Sequence, residues 1–328
     1  SRAARDLMST LENTPAAKKA TRRFLPSPVT QQLDNLESVV SDIEGQVREV
    51  NARIDQRAGR PLWQAIGMGL LLGGAFVASL LWLVDLFVAF VTVLVIFAVL
   101  ELSGALALKG RLQSKWPLVI LSAAMVPVAW VLGAEGQVWT LLGAIVIAAV
   151  IRAGRSILQP GSRATTLSDI GVAILVLTYI PFLGSFAAAI AATEVGRLWV
   201  LAGVVIVVSV DTGAYVTGLS FGKTPMAPKI SPKKTWEGFA GSSVAALLAG
   251  GLFGVFLLDV GLWVGLLLGA VLLGSATLGD LVESLIKRDL DIKDISAGLP
   301  GHGGFLDRLD SVLPSMAMLF VMFQIFAT

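Results

Sequence analysis

Residues 262–283 read LWVGLLLGAVLLGSATLGDLVE, an apolar run whose only charged side chains stand in its last turn. About 20 consecutive apolar residues are enough for an α-helix to cross the hydrocarbon core of a bilayer. The run therefore predicts a transmembrane helix that carries two carboxylates, Asp280 and Glu283, at one end. It decides the fold class because runs of the same kind recur along the chain.

Eight further apolar runs follow Arg60. Over its 328 residues the chain is 55% hydrophobic and only 15% charged, whereas soluble domains carry about a quarter charged residues. We therefore expect an all-α integral membrane protein with about nine transmembrane helices. The predicted spans are approximately 62–84, 86–108, 116–133, 136–151, 167–192, 197–219, 237–258, 262–283 and 309–327.

The distribution of charge predicts the orientation of these spans. If the N-terminus is cytoplasmic, every Lys and Arg except Arg197 falls on the cytoplasmic side. The opposite turns carry acids instead: Asp85, Glu135, Glu194 and Asp259. Cytoplasmic loops of membrane proteins are enriched in Lys and Arg. We accordingly expect a multi-pass protein of the cell's inner (plasma) membrane with its N-terminus in the cytoplasm.

Residues 1–60 are predicted to form a separate cytoplasmic tail ahead of a membrane domain at 61–328. Within the tail, apolar residues recur in steps of three and four over residues 33–54, which predicts an amphipathic helix. Two interpretations stay open: a short coiled coil that would make a homodimer, or a helix lying on the membrane or on the protein's own cytoplasmic face. The seam consists of Leu33, Leu36, Val40, Ile43, Val47, Val50 and Ile54.

The composition excludes several kinds of site. The chain has no Cys, which excludes a disulfide scaffold, a Cys-ligated zinc site and an iron–sulfur cluster. Because His302 is its only His, a His-rich metal site is excluded as well.

Glu101 stands alone in the second predicted span, where we expect a packing or pairing residue.

Acidic residues gather at the predicted cytoplasmic ends of the later spans. Asp211 lies in span six, Asp280 and Glu283 in span eight, and Asp307 and Asp310 at the start of span nine. The last four form two pairs spaced three residues apart, a spacing that puts each pair on one helical face. Charges inside membranes are costly and usually functional. Converging carboxylates suit a hard cation such as Mg²⁺; the alternative is a set of interfacial salt bridges.

The segment Ser231–Gly238, SPKKTWEG, precedes span seven. Ser231 as N-cap and Pro232 at the first helical position predict a helix start there. Lys233 and Lys234 would then lie at the positive end of the helix dipole, which favours anions. We therefore expect this helix start to bind a phosphate-rich ligand; the alternative is ordinary cytoplasmic positive charge.

A glycine-rich stretch, Pro300–Gly304, stands directly ahead of Asp307. Such backbone can form a nest of N–H groups around a phosphate, with His302 as an added donor. The residues together supply carboxylates for a metal, cations for phosphates and a place at the cytoplasmic lipid boundary. They predict a metal-dependent enzyme that joins a cytosolic phosphorylated compound to a membrane lipid.

These stretches also form one longer motif. The run Ser284-Leu-Ile-Lys287-Arg288, then Lys293-Asp294, then PGHGG and Asp307-Arg308-Leu-Asp310 resembles the signature of phosphatidate cytidylyltransferases, the CDP-diacylglycerol synthases. The segments Gly279–Ser284, Ser231–Gly238 and Asp211–Tyr215, with Phe221-Gly222-Lys223, are similar to that family too. The resemblance covers residues 205–310, where we expect the catalytic part.

The resemblance implies transfer of a cytidylyl group from CTP to phosphatidate, which gives CDP-diacylglycerol and pyrophosphate. It implies Mg²⁺ as cofactor, with K⁺ as a second cation, and substrates from the cytosol and the membrane but no nucleic acid. The implied metal residues are Asp280, Asp307, Asp310 and Glu283. Lys287 and Arg288 are implied in catalysis with Asp280 and Asp307. The implied substrate-binding residues are Ser231, Lys233, Lys234, Thr235, Lys293, His302, Gly303 and Arg308.

Two other functions stay open from the sequence. A CTP-dependent lipid kinase of the dolichol-kinase type shares some of this sequence character, but its lipid substrate would attack the γ-phosphorus of CTP. A cation-coupled transporter also needs acids in the membrane. A transporter would carry polar residues through the middle of the membrane and internal repeats, and neither is evident here.

Overall fold

The computed structural model describes residues 62–110, 115–158, 165–292, 295–296 and 304–327, without the side chains of residues 62–66 and 68. The predicted amphipathic helix at 33–54 lies outside these ranges. So do three of the predicted substrate-binding residues, Lys293, His302 and Gly303.

Helices make up almost all of the described chain. The helices are α1 Leu62–Trp82, α2 Val84–Leu108, α3 Trp116–Leu158, α4 Thr166–Leu177, α5 Leu183–Ala191, α6 Glu194–Phe221, α7 Trp236–Phe256, α8 Gly261–Asp289, α9 Leu306–Leu309 and α10 Val312–Phe326. One turn of π-helix, Thr178–Phe182, joins α4 to α5 and contains Pro181. Two short strands, β1 Pro225–Ala227 and β2 Ser231–Thr235, lie between α6 and α7.

Within the described ranges, seven helical segments are long and apolar enough to cross a membrane, and a shorter apolar helix covers Gly69–Trp82. This confirms a multi-pass, nearly all-helical membrane protein but does not confirm the count of nine. Predicted spans three and four both fall in α3, where Gly133 has φ 64° and ψ −158°. Those angles are outside the helical region, and glycine adopts them without a Cβ clash. The helix therefore breaks at the predicted boundary between the two spans.

The predicted helix start at Ser231 is wrong. Residues Ser231–Thr235 form β2, which pairs antiparallel with β1 so that Ala227 faces Ser231 and Pro225 faces Thr235. Helix α7 begins only at Trp236, and the Thr235 hydroxyl caps it by accepting a hydrogen bond from Gly238 N at 3.1 Å. A two-stranded ribbon tolerates Pro232 because an edge position needs no backbone donor. Lys233 and Lys234 therefore precede the helix, and the argument from its dipole does not apply.

Helices α7 and α8 pack closely through glycines that face each other. A Cβ added to Gly265 on α8 would lie 2.4 Å from the carbonyl oxygen of Gly250 and 2.9 Å from Gly254 Cα on α7. Small residues allow membrane helices to approach in this way. Helix α7 also packs along α6, while α10 contacts α5, α6 and α8. The approach of α7 to α8 places the strand that precedes α7 beside the end of α8.

We expect Gly265→Ala to lower the free energy of unfolding in detergent by about 1–3 kcal/mol, because the added methyl group meets backbone atoms that cannot move aside. Gly274→Ala on the same helix is the matched control, since a Cβ there meets nothing within 4 Å in the described structure. Thermal melts of the two variants against the wild type measure the difference. Equal melting temperatures for both variants would contradict the close packing.

Candidate active site

Three carboxylates converge where the C-terminal part of α8 meets the residues after α9. Asp280 and Glu283 lie three residues apart on α8, and Asp310 directly follows α9. One oxygen from each lies within 4.8 Å of one oxygen from each of the others. Only 1% of Glu283 and 8% of Asp310 is exposed. The structure thus brings together three of the four acids that the sequence analysis assigned to a metal.

Asp307, the fourth of these acids, lies beside the cluster and is joined to it by Lys287. The Lys287 ammonium is 2.6 Å from Glu283 Oε2 and 2.9 Å from Asp307 Oδ1. The other carboxylate oxygen of Asp307 accepts a hydrogen bond from Gly304 N at 2.9 Å. Lys287 therefore pairs with one acid of its own helix, Glu283, and connects α8 to α9 through Asp307.

The hairpin brings a second cation to the cluster. Lys234 on β2 places its ammonium 2.7 Å from Asp280 Oδ2 and 3.4 Å from the carbonyl oxygen of Thr277. The neighbouring Lys233 is exposed, because successive residues of a strand point to opposite faces. Arg288 Nε donates to the carbonyl oxygen of Ile230 at 3.3 Å and ties the end of α8 to the same hairpin.

The other predicted substrate-binding residues that the structure describes lie on β2 and on α9. Ser231 opens β2 and is half-buried, and Thr235 ends it as the cap of α7. Arg308 is on α9 and exposed. The structure therefore places Ser231 and Thr235 on the strand that carries Lys234, and Arg308 next to Asp307.

Three further residues contact this region: Asp211, which the sequence analysis counted among the cytoplasmic-end acids, Glu101, which it expected to pack or pair, and Ser311, which it missed. Ser311 Oγ donates to Asp211 Oδ2 at 3.0 Å, and Ser311 N donates to Asp310 Oδ1 at 2.7 Å. Glu101 on α2 accepts hydrogen bonds from Ser296 and from Leu306 N. For Glu101 and Asp211 the sequence did hold a signal, an acid within an apolar span. For Ser311 it held none, because an isolated serine carries no pattern.

The cluster fits a hard divalent cation. Its donors are all carboxylate oxygens, the ligand type that Mg²⁺ prefers, and they come from two separate chain segments. Glu283 Oε1 is buried and has no hydrogen-bond partner within the described structure. A buried carboxylate oxygen without a donor is costly, and coordination of a cation would satisfy it. Asp280, Glu283 and Asp310 are thus the residues best placed to hold a metal.

We expect Lys287→Met to lower the free energy of unfolding by about 3 kcal/mol, because it leaves Glu283 and Asp307 without their shared cation. The matched control is Lys229→Met, which removes an exposed cation from the hairpin between β1 and β2. Thermal melts in metal-free detergent solution would measure both changes. A Lys287→Met protein that melts like the wild type would show that this cation contributes nothing to stability.

Comparison with known proteins bears on the chemistry of this cluster. The model of the cytidylyltransferase family matches residues 63–326, which covers every described element except the first residue of α1. The phosphatidate cytidylyltransferase of Mycobacterium bovis is 40% identical over 266 residues, which are 79% of this chain and 87% of that protein. The enzyme of the same name from Mycobacterium leprae is 37% identical over 276 residues, 81% of this chain and 88% of that one.

Another relative matches only part of the chain. The phosphatidate cytidylyltransferase of Bacillus subtilis is 43% identical over 135 residues, which are 41% of this chain and half of that protein. The mycobacterial relatives, by contrast, match over most of both chains, and the family model extends over nearly the whole membrane domain. The chain therefore belongs to the cytidylyltransferase family.

Proposed function

We propose that the protein transfers the cytidylyl group of CTP to phosphatidate and releases pyrophosphate. The observation that carries the proposal is the cluster of Asp280, Glu283 and Asp310 with two lysines at its edge, in a chain that matches phosphatidate cytidylyltransferases over most of its length. Both substrates are polyanions at the reacting end, so a site for them must neutralise negative charge.

The reaction is a displacement at phosphorus. A phosphate oxygen of phosphatidate attacks the α-phosphorus of CTP and forms a new P–O bond. The bond between the α-phosphorus and the oxygen that bridges it to the β-phosphorus breaks, and that oxygen leaves with pyrophosphate. Such a transfer depends on positioning and charge neutralisation more than on a protein nucleophile. The described site agrees with this requirement, since its side chains are carboxylates and cations.

The chain's own residues would divide these tasks. Asp280, Glu283 and Asp310 would hold Mg²⁺, with Asp307 adjacent, and the bound ion would supply charge neutralisation at phosphate oxygens. K⁺ as a second cation stays a prediction. Lys234 and Lys287 are close enough to the cluster to reach a phosphate bound there. Arg288 and Arg308, together with Lys293 and His302, are further cations and donors proposed for CTP or the lipid headgroup.

A lipid kinase that uses CTP would release CDP instead of pyrophosphate. The products therefore distinguish a cytidylyltransferase from a lipid kinase. Purified protein is incubated with labelled CTP, phosphatidate and Mg²⁺, and the lipid and nucleotide products are identified. CDP-diacylglycerol with pyrophosphate supports the proposal. CDP with a lipid that carries an additional phosphate would overturn it.

We expect Asp280→Asn to reduce turnover to background while the protein stays folded, because one ligand of the carboxylate cluster loses its charge. Asp259→Asn is the matched control: it makes the same change just before the other end of α8. Asparagine also tolerates the positive φ of 54° at that position. Activity is measured at ordinary and at raised Mg²⁺. Wild-type activity of Asp280→Asn would remove this residue from the metal site.

We further infer nine transmembrane helices with the N-terminus in the cytoplasm of the inner membrane. The 43-residue segment α3 would be about 65 Å long if it were straight, about twice the thickness of the hydrocarbon core. Dividing it at Gly133 and adding α1 raises the count of spans from seven to nine. The concentration of Lys and Arg in the loops on one side supports a cytoplasmic position for the hairpin and the acid cluster. Self-association through residues 33–54 stays a prediction.

The chain lacks cysteine, so single introduced cysteines report the topology cleanly. We expect Glu135→Cys, two residues beyond the break in α3, to react with an impermeant thiol reagent on intact cells. Lys229→Cys in the hairpin loop should react only after the membrane is opened. Both residues are exposed in the structure. Failure of Glu135→Cys to react from outside would contradict either the division of α3 or the orientation.

A further inference from the structure

Glu101 joins two chain positions on either side of the glycine-rich stretch. Its carboxylate accepts one hydrogen bond from the hydroxyl of Ser296 and another from the backbone N–H of Leu306 at 3.0 Å. Ser296 and Leu306 flank residues 297–303 in the sequence. Glu101 itself is on α2, far from the catalytic motif in sequence. One side chain of the N-terminal half thus holds both borders of that stretch.

A second contact, independent of charge, lies one helical turn earlier. The ring of Phe97 on α2 stacks on Phe305, with centroids 4.7 Å apart and planes inclined by 10°. The backbone also approaches closely, because a Cβ added to Gly304 would lie 2.8 Å from Glu101 Oε2. Residues 304–306 are therefore docked on α2 by an aromatic pair and by a carboxylate.

The docked segment leads directly into the acid cluster. Leu306 precedes Asp307, and Asp307 pairs with Lys287, which also pairs with Glu283. The chain of contacts runs from Glu101 through the Leu306 backbone to Asp307, and then to the lysine and the buried glutamate. Loss of the bond to Leu306 N would free the backbone that sets the position of Asp307.

We infer that Glu101 is a positioning residue for Asp307 and Lys287, and thereby a determinant of the rate of the transfer reaction. The inference rests on the proposed function, since the rate in question is that of cytidylyl transfer. It extends the expectation from the sequence that Glu101 is a packing or pairing residue, since the partners of Glu101 are Ser296 and Leu306 N. Glutamate suits the role because its two oxygens can each accept one hydrogen bond, whereas the amide of glutamine offers one acceptor and one donor group.

The test compares Glu101→Gln with Asp85→Asn. Both substitutions neutralise an acid on α2, but Asp85 is exposed in the first turn of the helix, 16 residues before Glu101. We expect Glu101→Gln to lower kcat/KM by about tenfold or more, because a bond to a charged acceptor is lost at a backbone amide. Part of the loss should appear as a raised KM for CTP. Asp85→Asn should keep wild-type kinetics.

A purely structural role would give a different result. Fewer folded molecules would lower the apparent kcat but would leave the KM for CTP unchanged. Hydrogen exchange provides a readout that does not depend on activity: amides of residues 304–311 should exchange faster in Glu101→Gln and at the wild-type rate in Asp85→Asn. Ser296→Ala, which removes only one of the two bonds, should have a smaller effect in the same direction on both readouts.

The outcomes separate this inference from the proposed function. If the wild type makes no CDP-diacylglycerol, the proposed function fails, and the exchange experiment still reports whether Glu101 holds residues 304–311. If the wild type is active and Glu101→Gln has unchanged KM and unchanged exchange, Glu101 is not a positioning residue. If Glu101→Gln does not fold, Ser296→Ala decides by the same two measurements.

Discussion

The shared ammonium of Lys287, 2.6 Å from Glu283 and 2.9 Å from Asp307, is the interaction on which the arrangement of the site depends. Glu283 is almost fully buried near the end of a largely apolar helix, and an uncompensated charge there would be strongly destabilising. Lys287 compensates it from the same helix, four residues later, and at the same time binds Asp307 of α9. One cation pairs with two acids from different segments. The position of α9 therefore depends on the same ammonium group that stabilises the charged form of Glu283 on α8. Lys234 pairs with a single acid, Asp280, from the hairpin.

The small residues of α7 and α8 allow Lys234 to come close enough to Asp280 to pair with it. With glycines at the contact, the backbones approach more closely than larger side chains would allow. The strand that leads into α7 is then held next to the last turns of α8, and the bond from Arg288 to Ile230 fixes the hairpin against the end of that helix. Lys234 is thus brought to the site by helix packing that lies well away from it.

Local patterns predicted the parts of the site that depend on local geometry. The spacing of Asp280 and Glu283 predicted a shared helical face, and the apolar runs predicted the helical membrane domain. The helix start at Ser231 was predicted wrongly, because a second capping residue, Thr235, follows four residues later and strand pairing with β1 competes for the intervening backbone. The role of Glu101 was inaccessible to pattern reasoning, since its partner Leu306 is 205 residues away and contributes only a backbone amide. An acid in an apolar span signals that a partner exists without indicating which one.

The pairing of both lysines with acids has a thermodynamic consequence. Two lysine ammonium groups offset part of the negative charge of Asp280, Glu283 and Asp307, so a divalent cation that bound there alone would compete with an ammonium group for its carboxylate. A polyphosphate arriving alone meets carboxylates that still carry their charge. When the two arrive together, each removes the unfavourable interaction that the other would create. If both bind at this cluster, as the proposed function requires, their binding free energies would be coupled, and by linkage each would raise the affinity for the other by the same factor. A site that holds carboxylates and ammonium groups side by side would then favour the two ions in combination over either one alone.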